Sequence, residues 1–147
     1  MSTEYMNLVK RIAIVADDAR KNDLIEWSFH HREVLKRHQL IAAAYTADVL
    51  EGTVNTAVHK LEAGNAGGYQ QLADLISGGK VDAIIFLLQS RNSESFGNEM
   101  KSLLHVAEEM EIIIATNMST AEVVISYSLL DSKAWDNNPS YEEREAV

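Results

Sequence analysis

Unbroken apolar runs alternate with stretches of helical periodicity along this chain, most legibly from Ala63 to Leu88. There Gly64, Gly67 and Gly68 open a turn. Leu72, Leu75 and Ile76 share one face of a helix over 70–76, and Gly78 and Gly79 close it. Val81 to Leu88 is then apolar apart from Asp82, as expected of a parallel strand covered on both faces. Upstream, 11–16 (RIAIVA) predicts a first strand, and an apolar stripe of Leu24, Trp27, Val34 and Leu35 predicts a helix over 21–37. Residues 38–44 read as a second strand. Val49, Thr53, Thr56, Ala57 and Leu61 recur at helical intervals and predict a helix running through Leu61. A loop QSRNSESFGNE, a helix over 100–110, a strand over 112–116 and a short helix over 120–126 complete the pattern.

Strands alternating with helices predict an α/β fold, a single-domain doubly wound parallel sheet with helices on both faces. Ligands of such sheets sit at the carboxyl ends of the strands. The expected pocket therefore gathers Asp17, Asp18 and Lys21; Ala44, Tyr45 and Thr46; 89–99; and Asn117, Ser119 and Thr120, with the glycine turn facing the same rim.

Composition narrows the class without naming a chemistry. A chain of 147 residues fits one domain, which removes about 70% of its extended surface from water on folding. With no cysteine, disulfides, thiolate zinc sites and cysteine nucleophiles are excluded. A net charge of -9 without a Lys/Arg cluster argues against nucleic-acid binding. No apolar run approaches the roughly 20 residues of a membrane span. The polar start has no secretory pattern, so a cytoplasmic location is expected. From Trp135 the chain is polar, and 136–147 is expected to form an acidic tail beyond the domain at 1–135. His30, His31 and His38 match no trusted metal-ligand spacing and read as surface residues, and Trp27 reads as core.

Three segments carry a resemblance. KRIAIVADD with Lys21 and Trp27, GNAGGYQQLADLISGGKVDAIIF, and IIIATNMSTAEVVI are similar to the corresponding segments of bacterial methylglyoxal synthase, without a gap from about Lys10 to Ile125. The resemblance implies a flavodoxin-like, methylglyoxal synthase-like sheet and a homohexamer. It also implies a carbon–oxygen lyase reaction, dihydroxyacetone phosphate to methylglyoxal and phosphate, with no metal or organic cofactor. Related domains elsewhere bind nucleotides or other effectors, so fold alone does not settle function.

That reaction needs a base beside the ketone, a donor for the enediolate oxygen and a phosphate cradle. By the resemblance, the base is the aspartate of a GGDQQ motif, where this chain has Tyr69. A phenol with an ordinary pKa near 10 is a poor base at neutral pH. The family histidine falls on Phe96 and a further aspartate on Glu99. The threonine-rich cradle falls on Ala43, Ala44, Tyr45 and Thr46, its serine on Ala63, and an aspartate-proline pair on Gln89 and Ser90. Of the early histidine-aspartate pair, Asp18 is kept and the histidine becomes Asp17. Lys21 is kept.

The resulting candidates are Asp18 and Glu99 for residual acid–base work, and Asp17, Lys21, Tyr45, Thr46, Gly64, Gly67, Gly68, Tyr69, Arg91 and Phe96 for ligand binding. Each has a plainer reading: Asp17, Asp18 and Glu99 as first-turn helix carboxylates, the glycines as a turn, Lys21 and Arg91 as solvated charges, Tyr69 and Phe96 as packing. Three functions stay open. The chain is a homologue that binds a small metabolite, phosphorylated or not, with little turnover; or an active synthase with a rearranged carboxylate base; or a structural or regulatory partner subunit.

Overall fold

The computed structural model describes residues 9–88 and 97–126. Arg91, Phe96 and the expected tail at 136–147 lie outside the described residues. Five parallel strands form one sheet in the order β3-β2-β1-β4-β5. They are β1 (Arg11–Ala16), β2 (Gln39–Ala43), β3 (Val58–Leu61), β4 (Ala83–Leu87) and β5 (Ile113–Ala115). The helices are α1 (Lys21–His30), α2 (Arg32–Leu35), α3 (Ala44–Val54), α4 (Gly68–Ser77), α5 (Asn98–Glu109) and α6 (Met118–Ser126), with single 3₁₀ turns at Asp18–Arg20 and Gly64–Ala66.

Alternation along the strands splits the core in two. Ile12 and Ile14 of β1 and Ile85 of β4 pack with Leu24, Leu50 and Val124, under α1, α3 and α6. Ala13, Val15, Ile84 and Phe86 pack on the opposite face with Leu72, Ile76 and Leu103, under α4 and α5. Every residue of β4 is buried, as its continuous apolar run predicts.

The helix expected through Leu61 is wrong in its second half. Helix α3 ends at Val54 and is capped by Asn55, which takes a left-handed conformation (φ 60°, ψ 51°), and 58–61 forms the edge strand β3, in register with β2 from Leu40↔Val58 to Ala43↔Leu61. Val58 belongs to one core and Leu61 to the other, while His59 and Lys60 are exposed. Ala57, exposed just before the strand, and Leu61, buried within it, lie four apart and so mimic a helical interval.

The helix expected over 21–37 is also interrupted. His31 leaves helical geometry (φ -101°, ψ 20°) between α1 and α2. Its buried ring faces Glu122 of α6, with Nε2 3.1 Å from both carboxylate oxygens. The surface reading therefore fails for His31, and for His38, which is 6% exposed and accepts the Lys10 amide N–H on Nδ1 at 3.0 Å. Both imidazoles hold elements together. Trp27, 3% exposed, is core.

Asp82, the one polar residue in the apolar run, joins the amino ends of β1 and β4. It accepts from the Arg11 amide at 2.8 Å and from the guanidinium at 3.1 Å on each oxygen. Partial burial pushes the Asp82 carboxyl up, but the hydrogen bonds and charge of Arg11 prevail and hold it below the ordinary 3.8. A depressed carboxylate contributes stability above its unfolded pKa, which is lost as pH falls through the folded value. Asp82→Asn should cost about 1–2 kcal/mol at pH 7, modest because both side chains keep part of their surface in water. The gap to the parent should close below about pH 4, as read by urea unfolding across pH.

Candidate functional site

The strand order reverses between β1, which leads to β2 on one side, and β4 on the other, so the crevice lies at the carboxyl ends of the central strands. A cavity of about 570 Å³ opens there. Its floor is apolar, with Ile14, Val15, Leu24, Val49, Leu61 and Leu72. Its rim holds Asp17, Asp18, Lys21, Tyr45, Thr46 and Tyr69, and Gly64 and Gly68 complete the wall.

The short turn after β1 is built by Asp17, which caps the 3₁₀ turn by accepting the Arg20 amide at 3.2 Å on Oδ1. Asp18 begins that turn and Lys21 begins α1, both exposed. After β2 the chain enters α3 directly. Ala43 is the N-cap and, carrying only a methyl group, gives no side-chain cap. Tyr45, 76% exposed, stands on the rim. Asp48, a lining carboxylate absent from the expected set, pairs with Lys60 of β3 at 2.5 Å. Its helical position after Tyr45 was the available signal, but the partner comes from the strand read as helix.

The glycine turn has a separate steric reason at each position. Gly67 has φ 108° and ends the turn at Gly64–Ala66. At Gly68 a Cβ would lie 2.1 Å from the Glu62 carbonyl oxygen, so α4 can start there only without a side chain. At Gly64 a Cβ would fall 2.3 Å from Cζ of Tyr69 and 2.7 Å from its hydroxyl. The Tyr69 ring thus folds back from the first turn of α4 onto the Gly64 backbone and walls the cavity. Burial pushes its phenol above the ordinary 10.0, and the negative charges of Asp17, Glu99 and Asp18 push the same way.

The cavity brings together Asp17, Asp18, Lys21, Tyr45, Thr46, Gly64, Gly68 and Tyr69. Gly67 shapes the turn without lining it. Glu99, exposed in the first turn of α5, stands outside the lining but within electrostatic reach of Tyr69. Asn117, Ser119 and Thr120, expected at the same rim, do not line it. Asn117 instead caps α6, its Oδ1 accepting the Thr120 amide at 2.8 Å. Among the described residues no group of three or more His, Asp or Glu could hold a metal, and no helix is long and apolar enough to cross a membrane.

Fold and cavity together define a doubly wound α/β protein with a cavity at the carboxyl ends of its strands. Residues 23–116 match the family model described as MGS-like domain. The chain is 33% identical over 142 residues to methylglyoxal synthase of Photorhabdus laumondii, covering 97% of this chain and 93% of that one. It is 36% identical over 134 residues to methylglyoxal synthase of Coxiella burnetii, covering 91% and 94%. The crystal structure of methylglyoxal synthase from Elizabethkingia anophelis superposes with a TM-score of 0.77 at 27% identity, over 85% of this chain and 82% of that one. The chain belongs to the methylglyoxal synthase-like family.

Gly64→Ala should destabilise the parent by about 1–2 kcal/mol, because the Tyr69 ring must swing away, and should cost far less in a Tyr69→Ala background. Gly68→Ala, which meets backbone oxygen, should cost about 2–3 kcal/mol in either background. Denaturant unfolding of the single and double variants measures both.

Proposed function

We propose that this member of the family binds a small metabolite in the strand-end cavity with little or no turnover of dihydroxyacetone phosphate. The observation that carries the reading is Tyr69. It stands where the family resemblance puts the catalytic carboxylate, and it walls the cavity with a phenol whose burial and carboxylate neighbours keep its proton on at neutral pH. Such a group donates a hydrogen bond; it does not take a proton from carbon. The cradle supports the same reading. Ala43, Ala44 and Ala63 line the cavity where the family has hydroxyls or glycine, and Asp17 and Asp18 bring negative charge to a site that would have to hold a phosphate dianion. A positioned base contributes about 10²–10⁴-fold and an oxyanion donor about 10²–10³-fold, so losing both removes most of the catalytic advantage.

One observation favours retained catalysis: Asp18 and Lys21 are kept, and Asp17, Asp18 and Glu99 all lie within electrostatic reach of the Tyr69 hydroxyl. In that reading one of these carboxylates replaces the base. Hexamer formation and a cytoplasmic location belong to the proposal on family grounds alone.

A phosphate-release assay with dihydroxyacetone phosphate at high protein concentration separates the two readings. The parent chain should release no phosphate above background, and Tyr69→Asp combined with Phe96→His should raise release by about 10²-fold or more above the parent's limit. Turnover by the parent at an ordinary enzymatic rate, abolished by replacing Asp17, Asp18 or Glu99, would establish the rearranged base instead.

A further inference from the structure

The charged residues that line the cavity are already paired or solvated, and this narrows the ligand class, given the reading of the cavity as a binding site without turnover. Asp17 accepts the Arg20 amide of its own turn, and Asp48 is paired with Lys60. Asp18 and Lys21 are exposed, so water solvates their charges at the mouth. The lining hydroxyls of Tyr69 and Thr46 differ. Both residues are half-buried, and among the described residues neither hydroxyl has a hydrogen-bond partner. A half-buried hydroxyl without a partner is stabilised by whatever supplies its missing hydrogen bond. The polar groups left open in this cavity are therefore neutral.

Of the two hydroxyls, that of Tyr69 has the more restricted chemistry. Its ring lies against Gly64, where a Cβ would fall 2.7 Å from the hydroxyl, and both residues line the cavity. Burial first, and then the charges of Asp17, Glu99 and Asp18, keep the proton on that oxygen, so it offers a donor. An anion accepting from it would meet the same three negative charges, and a neutral carbonyl far less of their repulsion. Lys21 is not among the charges that act on the phenol. The floor of Ile14, Val15, Leu61 and Leu72 disfavours a charged body and suits an apolar one. The volume of about 570 Å³ falls among those of small-molecule pockets. We propose that the cavity binds an uncharged carbonyl compound with an apolar body, its carbonyl oxygen accepting the Tyr69 O–H and its body lying over Leu61 and Leu72.

Ligand-observed NMR titration and thermal shift on the full chain test this with three probes of one shape. They are acetophenone; benzoate, in which an anionic oxygen replaces the methyl group; and α-methylstyrene, in which a methylene replaces the carbonyl oxygen. Acetophenone should bind and raise the melting temperature, and benzoate should bind at least about tenfold more weakly. Tyr69→Phe removes only the hydroxyl. It should weaken acetophenone about three- to tenfold, as for one neutral hydrogen bond, and leave α-methylstyrene unchanged. The unliganded melting temperature should stay within about a degree or two of the parent's, because the hydroxyl holds nothing in the protein. No binding of acetophenone, benzoate bound as tightly, unchanged acetophenone affinity in Tyr69→Phe, or equal loss of acetophenone and α-methylstyrene there would each overturn the assignment. Dihydroxyacetone phosphate bound more tightly than acetophenone, without phosphate release, would sink this inference alone; its turnover would sink the reading on which the inference rests.

Discussion

A parallel sheet survives in water only when both faces are covered, and the fold follows from that constraint. The side chains of β1 and β4 alternate between two cores, with Ile12, Ile14 and Ile85 on one face and Val15, Ile84 and Phe86 on the other. Each of these side chains, once buried, contributes about 1.5–3 kcal/mol relative to leaving it in water. Helices must lie on both faces to supply that burial. The chain therefore leaves β1 in one direction to build β2 and β3 and returns to build β4 and β5 on the other side. The crevice at the reversal is a consequence of this winding. The Arg11–Asp82 pair fixes the opposite, amino-terminal ends of the same two strands, so the strands that carry the cavity are pinned away from it.

Within the crevice, steric and electrostatic effects act together on Tyr69. The missing side chain at Gly64 makes room for the phenol ring, and the short turn after β1 brings Asp17 and Asp18 near its hydroxyl. The ring has become a wall, and its oxygen is a donor that keeps its proton. The glycine turn that begins α4 thus supports an aromatic surface on a backbone path that Gly67 and Gly68 require. Belonging to the methylglyoxal synthase-like family describes the scaffold, and the reactivity depends on what the rim residues can do with a proton.

The separate fate of the polar residues follows from location more than from type. Asp82 and Asp17 are both partly buried carboxylates that accept backbone amides, yet one ties two strands together and the other shapes the rim of a pocket. His31 and His38 look on paper like solvated residues near a helix end. In the fold they reach across to Glu122 and to the Lys10 backbone.

The sequence by itself determined the α/β class, four of the five strands and three of the turns that border the crevice, those after β1, after β2 and before α4, because continuous apolar runs and glycine positions report burial on two faces and backbone freedom. Through the family resemblance it also put Tyr69 where a carboxylate is expected, and a phenol differs from a carboxylate whatever surrounds it. Tertiary structure alone decided the rest. Edge strand β3 depends on pairing with β2, because only two of its four residues are buried and they point to opposite cores. The inward turn of His31 depends on Glu122, 91 residues away. That Tyr69 faces the cavity at all depends on the absent side chain of Gly64, because the direction of a side chain is set by the space its neighbours leave.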